Sequence, residues 1–216
     1  MTDKKRKIGI SQRITNAQNY VEKRDAISHD WAKFLEKIDL MPVFIPNSLT
    51  DIESFLDSFD LDGIILSGGD DLGTDIERDK TELDTLKFAI DKKIPVLGVC
   101  RGMQLINKFF GGSIVKSETS KHVGKNHLIK ILDSKIYDIL KTNSIEVNSY
   151  HNNLITKDVL APSLLSIAVD ETDDSIEGLH HEKHPILGVM WHPERSVSND
   201  NEMILRHFFS TLDYEQ

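Results

Sequence analysis

Residues 94–112, IPVLGVCRGMQLINKFFGG, contain the single cysteine of the chain, set between two glycines after an apolar run. Gly98, Cys100 and Gly102 fit G-x-C-x-G, the thiol counterpart of the G-x-S-x-G elbow, in which a nucleophile sits on a tight strand-to-helix turn. Side chains two residues either way would collide there, which is why glycine is needed. A helix starting just after the sulfur favours thiolate, and its free N–H groups can hold an oxyanion. A buried structural cysteine could present the same five residues, so the reading needs a base. ILGVMWHPE, residues 186–194, supplies one. Pro193 biases His192 to extended backbone, and residues two apart then project to one side, bringing Glu194 to the imidazole. A carboxylate on one ring nitrogen fixes the tautomer and frees the other to take the thiol proton.

These groups must be carried by a scaffold, and the hydrophobic pattern describes one. Continuous apolar runs at 8–10, 41–45, 63–66 and 95–99 read as strands covered on both faces. Between and after them, amphipathic stretches at 24–38, 51–59, 80–90 and 101–110 read as helices. Four successive β-then-α units predict an α/β fold with a doubly wound, mostly parallel sheet and helices on both faces. The second half is richer in strands, at 127–132, 144–149, 164–169, 175–180 and 186–191, and a helix over 201–212 closes the chain. Without linker or repeat, residues 1–216 read as one domain. Active sites of such sheets gather at the strands' carboxyl ends, where Cys100 and His192 both fall.

Acidic residues outnumber basic ones 35 to 26, a net charge of −9. That excludes general nucleic-acid or anionic-membrane binding, which needs basic patches. One cysteine forms no internal disulfide. The N-terminal MTDKKRKIGIS lacks a signal-peptide core, and no run approaches the roughly 20 apolar residues of a membrane span, so a cytoplasmic location is expected.

Taken together, LSGGDD, GVCRGMQ, VNSYHNN and MWHPE resemble the class I glutamine amidotransferase superfamily, specifically its γ-glutamyl hydrolase-like, peptidase C26 branch. The resemblance implies a flavodoxin-like fold and a Cys100–His192–Glu194 triad. It implies an oxyanion hole from the backbone N–H groups of Gly69 and Arg101. It also implies γ-glutamyl contacts from Gln104, Gly68, and the segment Ser149, Tyr150 and His151. Neither a metal nor an organic cofactor is implied. The substrate class is a small-molecule γ-glutamyl amide, cleaved to glutamate and an amine or amidate. Two features depart from relatives: Asp70-Asp71 after the glycine pair, and Asn152-Asn153 after the histidine.

The leaving group stays open at this point. Compact members of the branch act on γ-glutamyl nucleotides such as CDP-glutamine in surface-polysaccharide pathways, and GISQR with RDAISHDW is similar to that subset. Lys116, Lys121, Lys125 and Lys130, with His122 and His127, form a basic stretch that could meet a phosphorylated leaving group, with Gln12 and Arg13 contributing from the first strand's end. The alternative within enzymes is a glutaminase subunit delivering ammonia to a separate synthetase. Outside them stand a metal site built from His180, His181, His184 and His192 with Cys100, and a phospho-accepting module using Asp70 and Asp71.

Overall fold

The computed structural model describes residues 5–117, 122–196 and 198–210. Its centre is a nine-stranded sheet. Five strands run parallel: β1 (Arg6–Ser11), β4 (Leu40–Ile45), β5 (Gly63–Leu66), β6 (Val96–Val99) and β13 (Ile186–Val189). They stand side by side as β4-β1-β5-β6-β13, the 2-1-3-4-5 order of a flavodoxin-like sheet. Four antiparallel strands continue the sheet past β13: β12 (Ile176–His181), β11 (Leu164–Asp170), β8 (Val123–Ile131) and β9 (Ser144–Tyr150). The strand-rich second half therefore extends the same sheet.

The apolar runs explain the layering. Side chains alternate across each strand, so Ile8, Ile10, Ile65, Leu97 and Val99 meet α1 (His29–Lys37) and α6 (Asn199–Ser210) on one face. Ile64, Leu66 and Val96 meet α2 (Ile52–Asp57), α3 (Ile76–Lys92) and α4 (Arg101–Phe109) on the other. A short helix α5 (Ser134–Leu140), not evident in the sequence, joins β8 to β9 and packs toward α6.

The helix expected over 24–38 begins at His29. Its first part is instead a strand, β3 (Lys23–Ala26), in a hairpin with β2 (Arg13–Asn16). KRDA carries no residue that needs burial beyond the alanine, whereas the 3.6-residue apolar repeat starts only at Ile27 and Trp31. Ser28 then caps the helix by accepting from the Asp30 N–H at 3.2 Å. Two further short strands, β7 (Val115–Lys116) and β10 (Asn153–Leu154), pair with each other beside the site. Among the described residues no helix is long and apolar enough to cross a membrane.

Candidate active site

Cys100 sits between β6 and α4 at φ 50°, ψ −103°, a left-sided backbone conformation that a non-glycine residue rarely holds. The flanking glycines make it fit. A Cβ on Gly98 would approach the Gly102 carbonyl carbon to 2.8 Å, and one on Gly102 would overlap the Leu66 carbonyl oxygen. The Cys100 N–H donates to the Val189 carbonyl at 2.8 Å, locking the turn onto the end of β13.

The helix N-terminus acts on the sulfur less than the sequence reading supposes. Burial pushes the Cys100 thiol up to about 12. The Arg101 N–H, hydrogen-bonded to the sulfur, opposes this, while the Glu194 and Glu177 carboxylates add to the rise. The free protein thus holds a thiol near neutral pH, and the sulfur would become a nucleophile only if a base took its proton.

His192 follows β13 and is buried. Its Nδ1 lies 2.8 Å from Glu194 Oε1, which requires Nδ1 to carry the proton and leaves Nε2 with a free lone pair. Asn148 of β9 clamps the His192 backbone from both sides: His192 N–H donates to Asn148 Oδ1 at 2.9 Å and Asn148 Nδ2 donates to the His192 carbonyl at 2.8 Å. The ring edge meets Tyr150, centroids 5.7 Å apart, and Arg195 stacks over the same tyrosine at 4.9 Å.

The loop after β5 joins the two halves. A Cβ on Gly68 would stand 2.5 Å from His192 Cε1, so only glycine lets the imidazole lie against this backbone. Gly69, at φ 152°, lines a cavity of about 410 Å³ with Cys100, Arg101, Gln104, Tyr150 and His151. Arg13 lies instead on the His192 side, in a narrow cleft with Trp31, Glu194 and Arg195. Gln12 turns its carbonyl to Asn47 Nδ2 at 3.0 Å, and neither it nor Ser149 lines either space. Ser149 is fully buried, its hydroxyl donating to the His122 carbonyl at 2.6 Å. Gln104 is buried on α4, its Nε2 3.5 Å from the Asn153 carbonyl.

Beneath the glycine loop lies a buried ion network that the sequence reading missed. Arg78 Nη2 donates to the carbonyls of Ser67 at 2.9 Å and Gly68 at 3.0 Å, and its Nε to Glu82 Oε1 at 3.0 Å. Arg101 reaches Glu82 and Asp79 with its guanidinium, and Ser11 donates to Glu82 at 2.7 Å. The i,i+4 spacing of Arg78 and Glu82 at the start of a helix was the available signal.

Several expectations resolve differently. His122 is buried and His127 largely so, both facing inward, so the basic stretch reduces to exposed Lys116, Lys125 and Lys130; Lys121 lies outside the described residues. His181 and His184 pack against Phe110 at the opposite end of the sheet from Cys100, so the metal set imagined with Cys100 and His192 does not converge. The two departures from the family pattern meet: Asn153 Nδ2 donates to Asp71 Oδ1 at 2.7 Å at the rim of the Cys100 cavity.

The peptidase C26 family model matches residues 7–194. A gamma-glutamyl-CDP-amidate hydrolase of Campylobacter jejuni is 33% identical over 212 residues, covering 95% of this chain and 98% of that one. A glutamine-hydrolyzing GMP synthase subunit of Methanocaldococcus jannaschii is 30% identical, covering 87% of this chain and 93% of that one. Among solved structures, a Thermoplasma acidophilum protein provisionally named as a GMP synthase component superposes with a TM-score of 0.75 at 24% identity, over 96% of this chain and 94% of that one.

Proposed function

The chain belongs to the peptidase C26 family, and we propose that it is a cysteine-dependent hydrolase of γ-glutamyl C–N bonds, with Cys100 as nucleophile, His192 as base and Glu194 as its orienter. The observation that carries this reading is the pairing of a strained elbow at Cys100 with an imidazole whose tautomer is set by a carboxylate at 2.8 Å, on adjacent parallel strands.

The steps follow from the groups. His192 Nε2 takes the Cys100 proton as the sulfur attacks the γ-carbonyl carbon, forming a C–S bond and an oxyanion. Peptide planarity puts a peptide's N–H opposite its C=O, so Arg78, by holding the Gly68 carbonyl, turns the Gly69 N–H away from α3. That N–H and the Arg101 N–H are the donors for the oxyanion, each worth about 2.7–4 kcal/mol in comparable sites. Protonated His192 gives its proton to the leaving nitrogen as the C–N bond breaks. Water, deprotonated by the same imidazole, then splits the thioester to glutamate and free thiol. Gln104, Tyr150 and His151 bound the glutamyl end of the cavity.

The leaving group we favour is a nucleoside diphosphate amidate, released from a γ-glutamyl nucleotide such as CDP-glutamine. The near full-length similarity to the Campylobacter jejuni hydrolase supports it. So do two cationic groups, Arg13 and Arg195, near His192, whose charges favour an anionic leaving group on that side of the imidazole. In this reading residues 1–216 act as one domain in the cytoplasm, serving surface-polysaccharide biosynthesis. The second reading, a glutaminase subunit for a separate synthetase, is favoured by the GMP synthase relatives.

Assaying glutamate release from CDP-glutamine, γ-glutamyl amines and free glutamine separates the two. The hydrolase reading expects CDP-glutamine to be the best substrate by at least ten-fold in kcat/KM. Preference for glutamine, or silence until a synthetase is added, would replace it with the second.

A further inference from the structure

Beside the Cys100 cavity lies a buried group of side chains that the acyl-transfer chemistry does not use. His122, just before β8, His151, just after β9, and Glu177, on β12, are each at least nine-tenths buried. His122 Nδ1 or Nε2, His151 Nδ1 or Nε2 and a Glu177 oxygen all come within 4.8 Å of one another.

Their hydrogen bonds fix which atoms face inward. His122 Nε2 lies 2.9 Å from Asp173 Oδ2, and His151 Nδ1 lies 3.1 Å from the Asn153 carbonyl. Carboxylate and carbonyl oxygens only accept, so those two ring nitrogens carry the protons. The opposite nitrogens, His122 Nδ1 and His151 Nε2, are buried and make no hydrogen bond among the described residues; the same holds for both Glu177 carboxylate oxygens. In the neutral imidazoles these are lone pairs, converging on a carboxylate with no proton between them. Left so, acceptor faces acceptor out of water, an arrangement that burial penalises.

We propose that these three residues form a divalent-cation site of the zinc type, His122 ligating through Nδ1, His151 through Nε2 and Glu177 through its carboxylate. The spacing fits a shared ion better than a direct bond. His151 Nε2 and Glu177 Oε1 are 3.6 Å apart, beyond hydrogen-bond range. Ligands about 2.0–2.1 Å from tetrahedral zinc stand about 3.3–3.4 Å from each other. The outer partners are also those that metal-bound histidines use: one carboxylate and one backbone carbonyl. Imidazole with carboxylate suits zinc or another borderline first-row ion over magnesium or calcium. Water would complete the coordination, and His127 Nε2 lies 3.5 Å from Glu177 Oε2 beside the three.

Such an ion would tie together three segments distant in sequence. One of them, Tyr150–Asn153, walls the Cys100 cavity. Its role is to hold that wall, while the chemistry stays with the sulfur.

The test uses the full chain, purified without a metal-affinity step, stripped with a chelator and titrated with zinc alone against a chromogenic competitor. One equivalent should bind, raising the melting temperature. His122→Ala and Glu177→Gln should each weaken binding by about 100-fold, and His181→Ala, in the other histidine cluster, should leave it unchanged. Because a variant could misfold, the wild type is also followed by nitrogen-15 correlation spectra of its imidazoles. Zinc should shift Nδ1 of His122 and Nε2 of His151. No saturable binding, binding kept by both variants, or shifts confined to His181 and His184 would overturn the site.

Discussion

Two buried polar clusters flank the Cys100 sulfur, and they are built on different logic. On the α3 side, Arg78, Arg101, Glu82 and Asp79 balance two positive against two negative charges, and Ser11 and Ser67 take up further valences. Of that network only Arg78 Nη1, lying beneath Gly69, is left over among the described residues. On the β12 side, His122, His151 and Glu177 present acceptors to one another. A buried network that closes on itself can set backbone geometry, and here it grips the very loop that carries Gly68 and Gly69. One that does not close has room for a guest. Burial of charge is common to both; what distinguishes them is how many polar groups are left over, one nitrogen in the first and an acceptor on every residue in the second.

The largest effect should come from the group that both clusters surround. Cys100→Ala should lower turnover of a γ-glutamyl substrate by about 10⁴-fold or more, with the melting curve intact, since a small side chain still fits the elbow. Steady-state glutamate release and calorimetry on the same sample check this. Residual activity near the wild-type level would remove the sulfur from the centre of the comparison.

The next pair of variants contrasts the clusters directly. Glu82→Gln removes the only carboxylate paired with buried Arg78 among the described residues and one of the two paired with Arg101, so it should cost about 3–5 kcal/mol of stability. Glu177→Gln, measured with chelator present, should cost under about 1 kcal/mol, because the new amide can donate to His151 Nε2 and relieves the facing acceptors. Urea unfolding of both gives the answer. Equal losses would mean that the β12 cluster is as internally satisfied as the α3 one.

Legibility in the sequence followed the same division. The tight turn at Cys100 and the His192–Glu194 contact were readable because each lies in a local motif whose spacing carries its own geometry, and the parallel strands showed as unbroken apolar runs. The ion network was only partly legible: Arg101 entered the reading through its backbone N–H alone, and its side-chain partners come from a helix about twenty positions earlier. His122 and Glu177 meet only because antiparallel strands fold back through β11, a long-range pairing with no local signature. Residues 24–26 misled for the opposite reason, since the strong repeat after Ile27 invited extension of the helix into a polar strand that pairs with Arg13–Asn16.

A smaller effect concerns the thiol itself. An unfolded chain ionises its cysteine near 9, while burial holds folded Cys100 protonated up to about 12. Between those values the folded state keeps a proton that the unfolded state has lost. The resulting stability is fully present below pH 9 and is lost as pH rises toward 12, with a limiting slope of about 1.4 kcal/mol per pH unit. Cys100→Ala should lack this dependence, so the difference between the two unfolding free energies, followed from pH 8 to 10.5, isolates it. A flat difference would show that the elbow exposes the sulfur to solvent.

The smallest effect tests where the clusters' influence ends. The Asp71–Asn153 hydrogen bond spans the rim of the cavity from the loop held by the α3 network to the segment held by the β12 cluster. It lies at the exposed edge, so its contribution to stability is about 0.5–1.5 kcal/mol at most. If the two clusters already fix their own sides, the bond merely sets the mouth's width, and Asp71→Ala should raise KM by about two- to five-fold with kcat unchanged. If instead the rim bond holds the Gly69 N–H in place, kcat should fall with little change in KM, because an oxyanion donor acts in the transition state. A KM-against-kcat split on one γ-glutamyl substrate therefore distinguishes a gate from a strut, and the closed geometry of the Arg78–Glu82–Arg101 network argues for the gate.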